Sequence, residues 1–299
     1  MTDTIGFIGL GVMGAGMAKN ILKAGFQLVA TTSSAEKADA FRALGAEIVD
    51  SAAAIAGRTT LIVTCVPDAA ALRQTLTGDN GLASASWKGG LLVDCSTIAP
   101  FEAEEMAAVL ADVGAGLVDA PVSGGRKGAE EGKLTIMCGG SDADFARARP
   151  VLDAMGTNIH HVGPLGAGQA VKACNQLMVA VNMMGAFEAV ALARAAGVDP
   201  KVMREVLSSG AARSGVLEAH ALRYIEGNLE PGFRAELMRK DLGIAAAVGA
   251  HYKRAQPATG LAHQLLVAAC NSGFAKLDSA ALGLLYDQMN GTDDERPTR

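Results

Sequence analysis

Short unbroken apolar runs alternate with longer mixed stretches along the first half of the chain. The runs are TIGFIGL, FQLVATT, TTLIVTCVP, GGLLVDCST, GAGLVDAPV and LTIMCGG, all before about Gly163. Runs of this length lack the every-other-residue polarity of a half-exposed strand, and so predict strands buried on both faces. Between them, GAGMAKNILKAG and SAEKADAFRALG have helix-compatible composition and end in glycine, a common helix stop. Strand, helix and strand in that order predict an α/β domain with a doubly wound parallel sheet.

After Gly163 the pattern changes to long Ala/Leu/Val/Met stretches punctuated by GVDP, SSGAARSG and LEPGF. This half reads as all-helical. The expected division is 1–164 for the sheet domain and 165–299 for an all-α domain, joined by a long interdomain helix from about Gln169 to Ala196, roughly 40 Å at about 1.5 Å per residue. That helix is apolar nearly all round, which places it at the centre of the second domain or against a partner chain. The tail NGTDDERPTR is polar and reads as mobile.

A chain of 299 residues is too long for one typical compact core and suits two domains. Hydrophobic residues make up 50% and charged ones 19%, with one Trp and three Tyr, so the interior has to be aliphatic. The net charge of −5 offers no basic footprint and excludes nucleic acid as a general partner. Cys65, Cys95, Cys138, Cys174 and Cys270 form no C-x-x-C pair and read as reduced, buried small hydrophobes. The N-terminus enters a strand at once, without a basic region and apolar leader, and no other stretch offers about 18 uninterrupted apolar residues. The expectation is a cytoplasmic protein with no membrane partner.

IGFIGLGVMGAGMAKNIL sets Gly9, Gly11 and Gly14 in the spacing G-x-G-x-x-G, directly after a strand and before a helix. The first glycine permits a tight turn, the second lets the backbone approach a pyrophosphate, and the third lets helix and strand pack closely. The loop Gly9, Leu10, Gly11, Val12, Met13 and Gly14 is therefore a candidate dinucleotide site, with the anion at the helix N-terminus. At the end of the second strand an acidic residue would select NAD and an arginine NADP. VATTSSAEK has neither. Thr31, Thr32, Ser33 and Ser34 can hydrogen-bond a ribose or a phosphate, or simply cap a helix. With no carboxylate there to repel phosphate, and Lys37 nearby, the cofactor reading is NAD or NADP with a slight lean to NADP. CVPD and DCSTIAP end two further strands, so Val66, Pro67 and Thr97 should face the nicotinamide side.

The oily helix carries Lys172 near its start, with Asn175 on the same face three residues later. A hydride leaving an alcohol carbon needs a base for the hydroxyl proton, and the reverse reaction needs a donor; a partly desolvated lysine serves both, since burial disfavours its charged form. A lysine at a helix end can also snorkel to solvent. Ser123, Gly124 and Gly125 offer a hydroxyl and backbone N–H groups as an anion nest or a plain turn. Arg126 could hold a second acidic group but reads better as solvated among Lys127, Glu130 and Glu131. His160 and His161 lack companions for a metal site and read as structural, and no metal is required. Met183 and Met184 read as core.

These stretches, with DAPVSGG, GPLGAGQAVKACNQ and MRKDL, resemble the β-hydroxyacid dehydrogenases, a family that includes 3-hydroxyisobutyrate dehydrogenase and tartronate semialdehyde reductase. The resemblance spans nearly the whole chain, in the family's motif order. It implies a Rossmann-type domain, a long interdomain helix, a helical substrate domain and a homodimer or homotetramer. It also implies that Lys172 is the catalytic acid/base, that Asn175 binds or orients substrate, that Ser123, Gly124 and Gly125 cradle a carboxylate, and that Lys240 lies near cofactor and substrate. Two departures stand out: Gln176 where many relatives have a second Asn, and TTSS in place of a frequent Asn-Arg-Thr.

The expected activity is NAD(P)-dependent interconversion of a small β-hydroxy acid and its semialdehyde. The alternatives are a tartronate semialdehyde or glyoxylate reductase, an imine reductase, a 6-phosphogluconate-type enzyme, and a non-catalytic dinucleotide-binding protein. Lys172 argues against the imine reductase and the silent binder. The 6-phosphogluconate type would need a longer helical half and a basic phosphate site.

Overall fold

In the computed structural model of the chain, residues 3–292 are described. The last part of the tail read as mobile, 293–299, lies outside the described residues. Two compact units emerge, Met1–Lys172 and Ala173–Arg299. The division falls inside the long helix rather than ahead of it at 164/165.

The first unit is a nine-stranded sheet: β1 (Thr4–Ile8), β2 (Gln27–Thr31), β3 (Glu47–Ile48), β4 (Leu61–Thr64), β5 (Leu91–Asp94), β6 (Gly116–Asp119), β7 (Val122–Ser123), β8 (Leu134–Gly139) and β9 (Gly156–Gly163). The order is β3-β2-β1-β4-β5-β6-β8-β7, with β9 on β8. The first six strands are parallel and reproduce the 3-2-1-4-5-6 order of dinucleotide-binding sheets. Seven helices connect them: α1 (Val12–Lys23), α2 (Ala35–Ala43), α3 (Ala52–Ala56), α4 (Ala69–Thr77), α5 (Pro100–Asp112), α6 (Gly125–Glu131) and α7 (Asp142–Met155).

The unbroken apolar runs have the predicted cause. One sheet face packs Phe7, Met17, Ile21, Val93 and Leu152 into a core. The other packs Ile55, Leu72, Trp87, Leu92 and Met106.

The sheet is predominantly parallel, as expected; β8 runs against it, antiparallel to β6 and β7. The connection 124–133 between β7 and β8 is shorter than the dozen or more residues a parallel crossover needs.

The long helix is α8 (Ala167–Ala195), 29 residues. Its length and apolar composition would suit a membrane crossing. Its Ala180, Met183, Phe187 and Val190 instead lie in the core of the second unit. There they join Tyr224 of α10 (Leu222–Ile225), Met238 and Leu242 of α11 (Ala235–His251), Leu266 of α12 (Pro257–Ala269) and Leu285 of α13 (Leu282–Asn290), while α9 (Pro200–Ser208) contributes only the half-buried Met203 and Leu207. Met183 and Met184 are buried, as read. π-helical turns at Leu217–Ala221 and Cys270–Phe274 interrupt this half.

None of the five cysteines is in a disulfide, but the reading of all of them as buried is corrected: Cys95 and Cys138 are buried, Cys65 and Cys270 half-buried, and Cys174 exposed. Cys174 follows Lys172 by two positions, about 200° around the helix from the buried lysine, on a face it shares with exposed Val171 and Met178.

Candidate active site

The three fingerprint glycines divide the labour as their spacing implies. Gly9 has φ +103, and a Cβ there would lie 2.2 Å from the Cys65 carbonyl oxygen. A Cβ on Gly14 would lie 2.0 Å from the Gly9 carbonyl oxygen, so this glycine sets the closeness of α1 to β1. A Cβ on Gly11 would meet nothing within 4 Å. The backbone at that glycine is open to approach from outside. The start of α1 has no side-chain cap and no acidic residue in its first turn, which leaves its N–H groups to an anion. Leu10 is buried, Met13 half-buried, and Val12 exposed at the mouth of the turn. This cradle fits the pyrophosphate of a nicotinamide dinucleotide.

At the end of β2, Thr32 Oγ1 accepts from the Ser34 N–H at 3.2 Å, and Ser34 Oγ from the Lys37 N–H at 3.3 Å. Both hydroxyls thus shape the start of α2, and Ser33 is exposed beside them. Lys37 Nζ reaches back to donate to the Leu10 carbonyl at 2.8 Å. On the nicotinamide side, the Val66 N–H donates to Ser96 Oγ at 2.9 Å, which ties the half-buried Val66 to the loop carrying Thr97; Pro67 is exposed.

The turn Ser123–Gly125 leads from β7 into α6, with Gly124 at φ +133 and Gly125 at φ +61. These left-handed values need glycine. The α6 helix packs against α1, where a Cβ on Gly16 would lie 2.8 Å from the Ala129 carbonyl carbon and Asn20 Nδ2 donates to the Ala129 carbonyl at 2.7 Å. That packing brings the Ser123 turn alongside the helix of the glycine loop. Arg126 is exposed and pairs with Glu130 at 2.7 Å, as read.

Lys172 does not snorkel. It is 5% exposed, and its Nζ donates to the Val122 carbonyl at 2.8 Å, one residue from Ser123. Asn175 is half-buried, and its Nδ2 donates to Gln176 Oε1 at 2.7 Å. Gln176 in turn donates to Asp241 Oδ2 at 2.6 Å, and Lys240 pairs with Asp241 Oδ1 at 3.2 Å. Asp241 is buried, so the Lys240 pair is more than a solvated surface contact.

Three residues given no role at the sequence level hold the glycine-rich turn, the Thr97 loop and the start of α8 together within the first unit. Asp119 accepts the Gly166 and Gln169 N–H groups at 2.8 and 2.7 Å. Burial pushes its carboxyl up to about 6, against the backbone N–H bonds of Gly166, Gln169 and Asp119 itself that hold it down, and Asp94 adds repulsion. Gln169 Oε1 accepts from the Ile98 N–H at 3.2 Å and its Nε2 donates to the Ser96 carbonyl at 2.8 Å, on either side of Thr97. Asp94 accepts from Thr64 Oγ1 and from Ser96 Oγ, and is the cross-strand partner of Asp119. The available signal was an aspartate closing each of two apolar strands, beyond whose ends ligands bind in open α/β sheets.

His161 Nε2 lies 2.9 Å from the Gly140 carbonyl oxygen, and its ring stacks on Phe145 at 4.6 Å, a structural role.

A glycine cradle at the first crossover, a buried lysine and a glycine-rich turn at the same edge of a 3-2-1-4-5-6 sheet define a nicotinamide-dinucleotide oxidoreductase site. Residues 4–163 match a family model described as the NAD-binding domain of 6-phosphogluconate dehydrogenase. Residues 166–286 match one described as NAD-binding of NADP-dependent 3-hydroxyisobutyrate dehydrogenase. The chain is 40% identical to Escherichia coli (strain K12) 2-hydroxy-3-oxopropionate reductase, over 93% of this chain and 95% of that protein. It is 38% identical to Eubacterium barkeri 2-(hydroxymethyl)glutarate dehydrogenase, over 96% of each. The solved Mycobacterium tuberculosis 3-hydroxyisobutyrate dehydrogenase with L-serine superposes at TM-score 0.88, with 32% identity, over 96% of this chain and 99% of that one. The chain belongs to the β-hydroxyacid dehydrogenase family. It is an NAD(P)-dependent oxidoreductase acting on hydroxyacids.

Proposed function

We propose that the chain interconverts a small β-hydroxy acid and its semialdehyde, with Lys172 as general acid/base. The observation that carries this reading is a buried ammonium held 2.8 Å from the Val122 carbonyl, next to the Ser123 turn. Ser123, Gly124 and Gly125 receive the substrate carboxylate, and Asn175 orients the reacting hydroxyl. In oxidation the lysine amine takes the hydroxyl proton; in reduction the ammonium returns it to the carbonyl oxygen. When bound, the nicotinamide supplies the hydride acceptor or donor. Gly9 to Gly14 hold the pyrophosphate, Thr32 and Ser33 the adenosine ribose or its phosphate, and Val66, Pro67 and Thr97 the nicotinamide side. NADP is favoured slightly over NAD, because the Thr31–Ser34 stretch has no carboxylate and Lys37 stands beside it. Lys240 takes its cofactor and substrate role from the family resemblance.

A second reading, reduction of 2-hydroxy-3-oxopropionate, is supported by the 40% identity to that reductase. Exposed apolar side chains on α8 and after it, Leu192, Val198, Val202 and Val206, support a homodimer or homotetramer. Five cysteines outside any disulfide support the cytoplasm as the compartment.

The test is a panel of 3-hydroxyisobutyrate, D-glycerate, L-threonate, 4-hydroxybutyrate and L-serine, each with NAD and NADP, on wild type and Lys172→Ala. Lys172→Ala should lower kcat by about 10²–10⁴-fold on the accepted substrate. If NAD(P) binds but no hydroxyacid or semialdehyde turns over in the wild type, the non-catalytic reading prevails.

A further inference from the structure

The helix that carries Lys172 cannot cap itself. Its first i to i−4 bond runs from the Ala170 N–H to the Gly166 carbonyl, so Gly166 is the N-cap residue, and glycine has no side chain to accept an N–H. Gly166 also sits at φ +86, a backbone setting that excludes the usual capping residues without strain. The missing acceptors come from Asp119, 47 residues earlier at the end of β6, whose two oxygens take the Gly166 and Gln169 N–H groups. Those are the N-cap and N3 donors that a local capping box satisfies with two side chains.

The surroundings are cut to fit that carboxylate. A Cβ on Gly139 would lie 2.3 Å from Asp119 Oδ1, and one on Gly168 would lie 2.8 Å from Oδ2. Asp119 is fully buried, and burial pushes its carboxyl upward, so this cap costs desolvation that a solvent-facing Ser or Asp at the helix start would avoid. What the distant carboxylate adds is a fixed link between α8 and the strand that leads, four residues on, to Ser123. A second link comes from Gln169, also fully buried, which grips both sides of Thr97 through Ser96 and Ile98. Gln169 and Lys172 are three residues apart on one helical face. Asp119 therefore fixes where the helix starts, and Gln169 fixes its rotation about its own axis.

We infer that Asp119 and Gln169 are positioning residues for Lys172, setting the depth and rotation of α8 that hold the ammonium beside Val122 and Ser123. The inference rests on the reading of Lys172 as the proton-handling group. Neither residue touches the reacting atoms; each acts through the helix.

The test compares Asp119→Ala, Asp119→Asn, Gln169→Met, Lys172→Ala and the double variant Asp119→Ala/Lys172→Ala in the full chain. The readouts are kcat and KM on the accepted hydroxyacid, and NAD(P)H affinity by fluorescence titration. A lysine displaced by about 1 Å should cost about 10²-fold in kcat. The expected result is that loss for Asp119→Ala and Gln169→Met, with NAD(P)H affinity within about threefold of wild type and partial recovery in Asp119→Asn, which keeps one acceptor. In the double variant the Asp119 change should add almost nothing to the loss from Lys172→Ala, because groups acting as a unit are non-additive. If Asp119→Ala does not fold, Gln169→Met alone carries the comparison. Wild-type kcat in the Asp119 and Gln169 variants, alongside an inactive Lys172→Ala, overturns the positioning role and leaves the lysine reading intact. Equal losses of kcat and NAD(P)H affinity, or a fully additive double variant, also overturn it. Full activity in Lys172→Ala overturns the lysine reading and the inference with it.

Discussion

Replacing the fingerprint glycines one at a time by alanine should separate cofactor binding from folding, because the three occupy different surroundings. At Gly11, φ is −73 and ψ −165, a conformation alanine adopts freely, and the new methyl would touch nothing within 4 Å. Folding should be unchanged, or improved by about 0.4–1 kcal/mol through the stiffer unfolded chain. The same methyl occupies the approach to the N-terminus of α1. Pushing a pyrophosphate outward breaks at least one charge-assisted hydrogen bond of about 1.5–3 kcal/mol, which is about 10- to 150-fold in Kd. At Gly9 the methyl meets the Cys65 carbonyl oxygen at 2.2 Å on a backbone with φ +103; at Gly14 it meets the Gly9 carbonyl oxygen at 2.0 Å. Both contacts are with backbone, which cannot swing aside, so each should cost about 2–4 kcal/mol of stability. Thermal melts and NAD(P)H fluorescence titrations on the three variants measure both quantities. A Gly11→Ala protein that binds NAD(P)H as tightly as wild type would refute the assignment of this loop to the pyrophosphate. A melting temperature unchanged in Gly9→Ala or Gly14→Ala would refute the packing roles.

Asp119 should leave a mark on stability against pH. Its carboxyl moves from 3.8 to about 6 because burial penalises the charge; Asp94 on β5 adds repulsion, and the neighbouring Cys138 thiol on β8, itself pushed up to about 12 by burial, is neutral. A folded-state value raised above the unfolded one means that the native state holds a proton between about pH 4 and 6 that the unfolded chain has released. The contribution is therefore fully present below pH 4 and lost as pH rises through 6, about 3 kcal/mol for roughly two units. Urea midpoints at pH 4.5 and 7.5 should show that loss in wild type and not in Asp119→Asn; identical pH dependence in both would refute it. In the second unit, Arg194 Nη1 donates to the Tyr224 hydroxyl at 2.8 Å and pairs with the buried Asp287 at 3.2 Å. Arg194→Ala, which leaves that carboxylate buried without its guanidinium, should cost about 3 kcal/mol in urea unfolding, and a loss under about 0.5 kcal/mol would show the pair to be dispensable.

The sheet was legible where a strand is covered on both faces, because only there does burial write an unbroken apolar run. It was illegible where pairing is brief or one-sided. The two-residue strands Glu47–Ile48 and Val122–Ser123 are too short to carry a pattern, and β9 shows mostly exposed and half-buried positions at the sheet edge. The direction of β8 was hidden for another reason. An apolar run such as LTIMCG is the same for either strand direction, and only the brevity of the preceding connection decides it. Gly9, Gly11, Gly14 and Lys172 were legible because each breaks a local rule that something outside the segment must justify. Asp119 and Gln169 obey theirs, so neither drew notice: an aspartate may close any strand, and a glutamine is at home in any helix. The visible sign of their work lay elsewhere, in a helix that opens on Gly-Ala-Gly with no Ser, Thr, Asp or Asn to receive its first N–H groups. Buried backbone donors are almost never left unpaired. A long helix without a local cap therefore announces an acceptor somewhere else in the chain, and the strand-end aspartate of the neighbouring motif was the group of the right charge to supply it.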